Sequence, residues 1–154
     1  MAQGFEWRYN ISGGKPLVLT FLMKDSETLT LGDLLNLESG EVDLLATGDT
    51  AAVGLFMGPD DPDDAVDRKP GTVSGTDSTT VVRAIVNPDA VYADVDDTNA
   101  RLPGALLDVS GATGAQAIAS ASNNEFVVVA RKKQASDETF VQFTAPTHYL
   151  SKVQ

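Results

Sequence analysis

Every catalytic constellation that can be tested for in this sequence is absent or incomplete. Its single histidine, His148, is a potential general base, but that role also needs a nucleophile and an orienting carboxylate within reach. No G-x-S-x-G motif frames a serine nucleophile, and the absence of cysteine excludes a thiolate nucleophile, a zinc–thiolate site and a disulfide framework. We therefore predict that the chain is not an enzyme and that His148 lies at the surface or at an interface.

Two acidic clusters could supply oxygen ligands to a hard cation such as Ca²⁺. The first is Asp60–Asp64 together with Asp67, and the second is Asp94–Asp97. An EF-hand loop that begins at Asp61 would need glycine where Val66 stands, and the second cluster lacks both the glycine and the closing glutamate. We expect solvated loops and predict no metal ligands and no cofactor. An irregular Ca²⁺ site in either cluster is the alternative.

Aromatic residues alternate near the N-terminus. Phe5, Trp7 and Tyr9 would point to one side of an extended strand, because successive side chains alternate between the two faces. Two roles fit this pattern: a first strand that buries one face in the core, or an arm that docks on a partner by adding a strand to it. We take these three residues as the candidate partner contacts.

Short strands separated by turns must position these residues. Glycine, proline, asparagine and aspartate interrupt runs rich in valine, leucine, threonine and phenylalanine at short intervals, which is typical of an all-β protein. The predicted strands are Phe5–Ile11, Leu17–Met23, Leu34–Leu37, Val42–Leu45, Ala52–Met57, Thr80–Val86, Ala90–Ala93, Glu125–Arg131 and Thr139–Phe143.

The last two predicted strands should form a hairpin near the C-terminus, since only a short segment joins them. The alanine-rich segment Ala115–Ser122 is the one predicted helix. Residues 58–79 are rich in aspartate, proline and glycine and predict a long loop. We divide the chain into a possible N-terminal arm, residues 1–15, and a single β domain, residues 16–154.

Composition and charge exclude several classes of protein. The chain has 154 residues and a net charge of -11, which disfavours nucleic acid as a partner because phosphate binding needs a basic surface. Its apolar runs are far shorter than the ~20 residues of a membrane span, so we predict no membrane partner. The first residues show no signal-peptide pattern, which predicts synthesis in a cytoplasm.

The order and style of several segments resemble the capsid decoration (cement) proteins of tailed phages. The likeness covers roughly residues 30 to 150, and it includes Gly-Asp turns, a Val-Gly strand and a closing strand. Its segments are Leu31–Val42, Gly48–Leu55, Val81–Tyr92, Leu102–Val109, Ser122–Val129 and Glu138–Phe143. Residues 58–79 have no counterpart in this pattern.

The resemblance implies a small β-barrel or β-tulip that binds the outer surface of an expanded capsid. Proteins of this family often form trimers, bridge neighbouring major capsid protein subunits and have no catalytic residues. In some of them an N-terminal arm adds a strand to the capsid protein, a role that Phe5, Trp7 and Tyr9 would suit. We therefore expect a homotrimer on the virion surface, made in the host cytoplasm, with the major capsid protein as its partner.

Two alternatives remain open at the level of sequence. A tail-tube or head–tail connector subunit would also be β-rich and acidic, and residues 58–79 could serve it as a contact loop. A carbohydrate- or Ca²⁺-binding β module is the other alternative. A sugar site would need exposed aromatics near paired aspartate or asparagine, for which Tyr92 and Asp94–Asp97 are the nearest candidates.

Overall fold

The computed structural model is all-β and contains a closed barrel, which confirms the predicted fold class. It describes residues 4–61, 72–74, 80–94, 97, 101–120, 123–131 and 138–152. The strands are β1 Phe5–Asn10, β2 Val18–Met23, β3 Thr28–Thr30, β4 Leu34–Glu38, β5 Glu41–Leu44, β6 Ala52–Pro59, β7 Thr72–Ser74, β8 Val81–Ile85, β9 Ala90–Asp94, β10 Leu106–Ser110, β11 Ala117–Ala119, β12 Phe126–Arg131 and β13 Thr139–Phe143. A short 3-10 helix follows at Tyr149–Lys152.

The strands form a barrel, a sheet packed on it and a small ribbon. The barrel has the strand order β2-β5-β4-β6-β8, the six-stranded sheet has the order β1-β9-β13-β12-β10-β11, and β3 pairs with β7. All pairs are antiparallel except β2 with β5, which is parallel. The predicted C-terminal hairpin is confirmed by the β12–β13 pair; its connection, residues 132–137, lies outside the described residues.

Two apolar clusters hold these layers together. The barrel core lies among the barrel strands and includes Leu35, Phe56 and Val82. The interlayer core lies between barrel and sheet and includes Leu34 and Phe126. Because successive side chains of a strand point to opposite faces, Leu34 and Leu35 of β4 contribute to different cores. Barrel strands that are covered on both faces therefore have nearly continuous apolar sequences.

A glycine in β6 is required where two barrel strands meet. Gly54 has a φ of +149°, and a Cβ atom built on it would lie 1.7 Å from the carbonyl oxygen of Ile85 in β8. An L side chain would clash there and would also be strained, since glycine alone adopts such backbone freely. This position explains the glycine inside an otherwise apolar strand.

The predicted helix at Ala115–Ser122 is wrong. Residues Ala117–Ala119 form β11, which pairs with β10 through Ile118 and Val109; residues 121 and 122 lie outside the described residues. An alanine-rich segment of this length has too little intrinsic helical stability to outweigh sheet pairing and burial. The short strands β3, β7, β10 and β11 were not predicted. β7 lies within the predicted long loop, most of which is outside the described residues.

Candidate binding surface

His148 is buried, so the expectation of a surface or interface histidine is wrong. Its side chain is 2% exposed and lies against Phe143 and Tyr149. Nε2 lies 3.1 Å from the carbonyl oxygen of Val53, and Nδ1 accepts a hydrogen bond from the Leu150 amide at 3.2 Å. Burial lowers the pKa of His148 and favours the neutral ring. A cavity of about 430 Å³ adjoins this histidine, but both ring nitrogens are engaged and neither can serve as a general base.

The second acidic cluster is structural. Asp94 Oδ2 accepts a hydrogen bond from the Ile118 amide at 2.9 Å and so ties β9 to β11. Asp97 Oδ2 accepts hydrogen bonds from Thr139 Oγ1 at 2.8 Å and from Arg101 Nε at 3.1 Å. Both carboxylates are buried, so the expected solvated loop is wrong for them.

A calcium site finds no support in the described part of the chain. There, no group of three or more histidine, cysteine, aspartate or glutamate side chains could hold a metal ion. Residues 95 and 96 lie outside that part, as do residues 62–67 of the first cluster. Tyr92, the aromatic candidate for a sugar site, is fully buried and cannot stack on a ligand. The burial of Tyr92 removes the only aromatic residue that had favoured a carbohydrate module.

The aspartates of two Gly-Asp pairs, Asp33 and Asp49, stabilise turns. Asp33 Oδ2 accepts a hydrogen bond from the Thr30 amide at 2.8 Å, and Asp49 Oδ2 accepts one from the Ala46 amide at 2.8 Å. Each aspartate thus closes a turn three residues back along the chain, as aspartate commonly does. Asp33 also accepts hydrogen bonds from Thr113 Oγ1 at 2.5 Å and from the Gly114 amide at 2.8 Å, which links the barrel to the sheet.

The three candidate contact residues do not share one environment. Phe5 is 1% exposed and belongs to the interlayer core, as expected for a first strand that buries one face in the core. Trp7 is half-buried against the same core, and its Nε1 donates to Asn10 Oδ1 at 3.1 Å. A register shift between Trp7 and Tyr9 in the pairing with β9 breaks the alternation, and Tyr9 is 41% exposed. Trp7 and Tyr9 are therefore accessible, whereas Phe5 is not.

Trp7 lines an apolar groove where β1 of the sheet meets β6 and β8 of the barrel. The groove has a volume of about 340 Å³. Its lining includes Pro16 and two exposed apolar side chains, Leu31, which is 49% exposed, and Met57, which is 39% exposed. Glu6 also lines the groove and is paired with Arg8 at 2.6 Å. We name this surface, defined by Trp7, Pro16, Leu31 and Met57, the apolar groove.

Beyond Pro16 the exposed apolar surface continues along the chain into β2. Leu17 is 49% exposed, Val18 and Leu19 are each 40% exposed, and Leu22 is 42% exposed. Leu17 and Leu19 point to one face of the extended chain and Val18 and Leu22 to the other, so both faces of this segment carry exposed apolar surface. Sequence reasoning missed both features, because the run Leu17–Met23 is equally consistent with a buried strand.

Comparison with known proteins identifies no relative of this chain: no protein-family model, curated protein or solved structure matches it. Within the described part, no helix is long and apolar enough to cross a membrane. The described residues combine hydrogen-bonded buried aspartates, a histidine with both ring nitrogens bonded and an accessible apolar surface. Such a surface can bind another macromolecule, whereas nucleophile, base and oxyanion donor are not brought together in it.

Proposed function

We propose that this chain is a structural virion protein that binds the outer surface of an expanded phage capsid and stabilises it by bridging major capsid protein subunits. The proposal combines the resemblance of residues 30 to 150 to capsid decoration proteins with the small barrel that such proteins require. Its site is the apolar groove. The protein is made in the host cytoplasm and acts on the virion surface.

The observation that carries the proposal is an accessible apolar surface on a strongly acidic chain. A net charge of -11 opposes non-specific association of a protein made in large amounts. The groove, by contrast, presents Trp7, Leu31 and Met57, whose burial against a partner is favourable by about 25 cal/mol per Å² of apolar area. Charge keeps the free protein dispersed, and the groove supplies affinity for the assembled shell.

Bridging explains how a small chain can bind firmly to a shell. A protein that contacts two or three subunits at once gains affinity through effective concentration, without any single strong contact. We propose that the chain acts as a homotrimer, because a three-fold assembly would place three copies of the groove over three neighbouring subunits.

The test is addition of the purified chain to expanded shells that lack it, followed by sedimentation and electron cryomicroscopy. We expect saturable binding at the outer surface. The single variants Leu31→Asp and Met57→Asp should weaken binding at least about tenfold, since each would place a charge in the contact. Leu102→Asp is the matched control, because Leu102 is 74% exposed and does not line the groove. Shells that bind none of these proteins, or all of them equally, would refute the proposal.

A further inference from the structure

Strand β2 has an open edge. Along one side it pairs with β8 from Val18 to Leu22. Along the other side it meets β5 only at Leu22 and Met23, which is the short parallel pair that closes the barrel. Among the described residues no strand pairs with residues 18–21 on that second side.

The backbone groups of two residues face this open side. The Val86 amide donates to the Leu17 carbonyl at 2.9 Å, and the Met23 amide donates to the Thr80 carbonyl at 2.8 Å. In an antiparallel ladder the bonded residues alternate, so residues 17, 19, 21 and 23 face β8. Val18 and Thr20 therefore direct their N–H and C=O groups away from β8, toward the open edge.

The edge lacks the usual protection against strand addition. Exposed edge strands normally carry charged side chains, proline or a bulge that prevents pairing with another chain. β2 has the sequence VLTFLM, with no charged residue and no proline, and its pairing with β8 shows no register shift. With Leu17, Val18 and Leu19 each at least 40% exposed, the edge combines free hydrogen-bonding groups with apolar surface.

The charges beside the edge indicate the chemistry of its partner. Lys15 precedes β2 and Arg83 lies opposite Thr20 in β8; both are exposed, and neither forms an ion pair within the described part of the chain. Arg8, Lys24 and Arg101, in contrast, are paired with acids. Lys15, just before β2, and Arg83, one strand in from the open edge, neither in an ion pair with a described residue, are complementary to acidic side chains that reach over Thr20.

We propose that the open edge of β2 binds an extended acidic segment of a partner protein, which adds to the barrel as a strand beside Val18 and Thr20. Backbone hydrogen bonds would supply affinity, and alternating apolar and acidic side chains would meet β2 and the two cations. A second copy of this chain is a poorer occupant, because its β2 would bring the same Lys15 and Arg83 to the junction. The inference goes beyond the proposed function, since it concerns a second surface and holds whichever protein supplies the strand.

The test is an amide NMR titration of the full chain with a blocked eight-residue peptide in which valine alternates with glutamate. The backbone amides of Val18 and Thr20 should shift most, because these are the donors that face the added strand. A matched peptide with lysine in place of glutamate should bind about two- to fivefold more weakly, which is what loss of an exposed charge pair costs. Arg83→Glu should lower the affinity for the acidic peptide by a similar factor.

Backbone variants separate strand addition from simple apolar contact. Thr20→Pro removes an N–H that faces the open edge and leaves the hydrogen bonds to β8 in place, so it should weaken peptide binding about tenfold. Thr20→Val keeps the N–H and should bind like the parent chain. If Thr20→Pro fails to fold, Arg83→Glu and Lys15→Glu still test the charge requirement.

Three results would overturn the inference: equal binding of the two peptides, shifts confined to residues outside β2, or no binding of the acidic peptide. Concentration-dependent broadening at Val18 and Thr20 without peptide would do so as well, because it would make a second copy the occupant. Failure of the chain to bind capsid shells, with peptide binding intact, would refute the proposed function and leave this inference standing.

Discussion

Replacement of Gln116 by leucine should lower the free energy of unfolding, because it removes hydrogen bonds that join the barrel to the sheet. Gln116 immediately precedes β11 and is 0% exposed. Its Oε1 accepts a hydrogen bond from the Leu34 amide at 2.5 Å, and its Nε2 donates to the Leu45 carbonyl at 2.8 Å. Nε2 also donates to the Leu34 carbonyl at 3.4 Å, so one amide side chain of the sheet bonds three backbone groups of the barrel.

The magnitude follows from what Gln116→Leu leaves behind. Each neutral hydrogen bond contributes about 1 kcal/mol net, and each buried backbone group left without a partner costs about 1–3 kcal/mol. Leucine is close to glutamine in volume, so the change creates little cavity. The Leu34 N–H and the Leu45 C=O would both lose a partner, and we expect a loss of about 3–5 kcal/mol in the free energy of unfolding.

Urea unfolding followed by tryptophan fluorescence measures this loss, because the single tryptophan, Trp7, packs on the interlayer core. Gln142→Leu is the matched control: its Nε2 donates to the Pro88 carbonyl at 3.3 Å in an exposed setting, and its replacement should cost less than about 0.5 kcal/mol. Equal losses in the two variants, or a loss below about 1 kcal/mol for Gln116→Leu, would refute the role given to Gln116.

Three further predictions concern the fold. Gly54→Ala should lower the free energy of unfolding by at least about 3 kcal/mol, because its Cβ would meet the Ile85 carbonyl. Gly14→Ala, whose Cβ would make only an ordinary contact with Ser12 Oγ at 3.8 Å, should change it by less than about 0.5 kcal/mol, and similar denaturant midpoints for the two would contradict this. Burial lowers the pKa of His148 from its usual 6.5, so the unfolded chain binds the proton more readily and stability is lost as the pH falls below about 6.5. His148→Gln should lack that component, and parallel stability–pH curves for parent and variant between pH 7.5 and 5 would exclude it. Asp33→Ala should cost about 2–4 kcal/mol by calorimetry, since it leaves two partly buried amides without an acceptor; an unchanged Tm would contradict the assignment.

The longer strands could be predicted from the local sequence. Glu125–Arg131 contains an aromatic and β-branched centre, Phe126–Val129, and Thr139–Phe143 alternates, so both could be predicted without knowledge of their partners. β3 and β11 have three residues each, too few for a recognisable pattern; β3 pairs with the distant β7, and β11 pairs with the neighbouring β10. The alanines of β11 favour helix locally, but pairing with β10 and the hydrogen bond from Ile118 to Asp94 outweigh that preference.

The binding surface was less predictable than the fold. Trp7 could be singled out because aromatic residues commonly anchor contacts, and it does line the apolar groove. Leu31, Met57 and the residues of β2 carry no such signal, since their exposure depends on where the barrel closes. The burial of His148 likewise depends on Val53, which is distant in sequence, so no local pattern could reveal it.

The most direct test of the central claim is quantitative mass spectrometry of virions purified from the source of this chain, with copies of the chain counted against the major capsid protein. A decoration protein that covers the shell should be present in nearly equal copies. A handful of copies per particle would contradict the account and favour a tail or connector subunit. Absence from the virion would contradict every assignment of the chain as a structural virion protein.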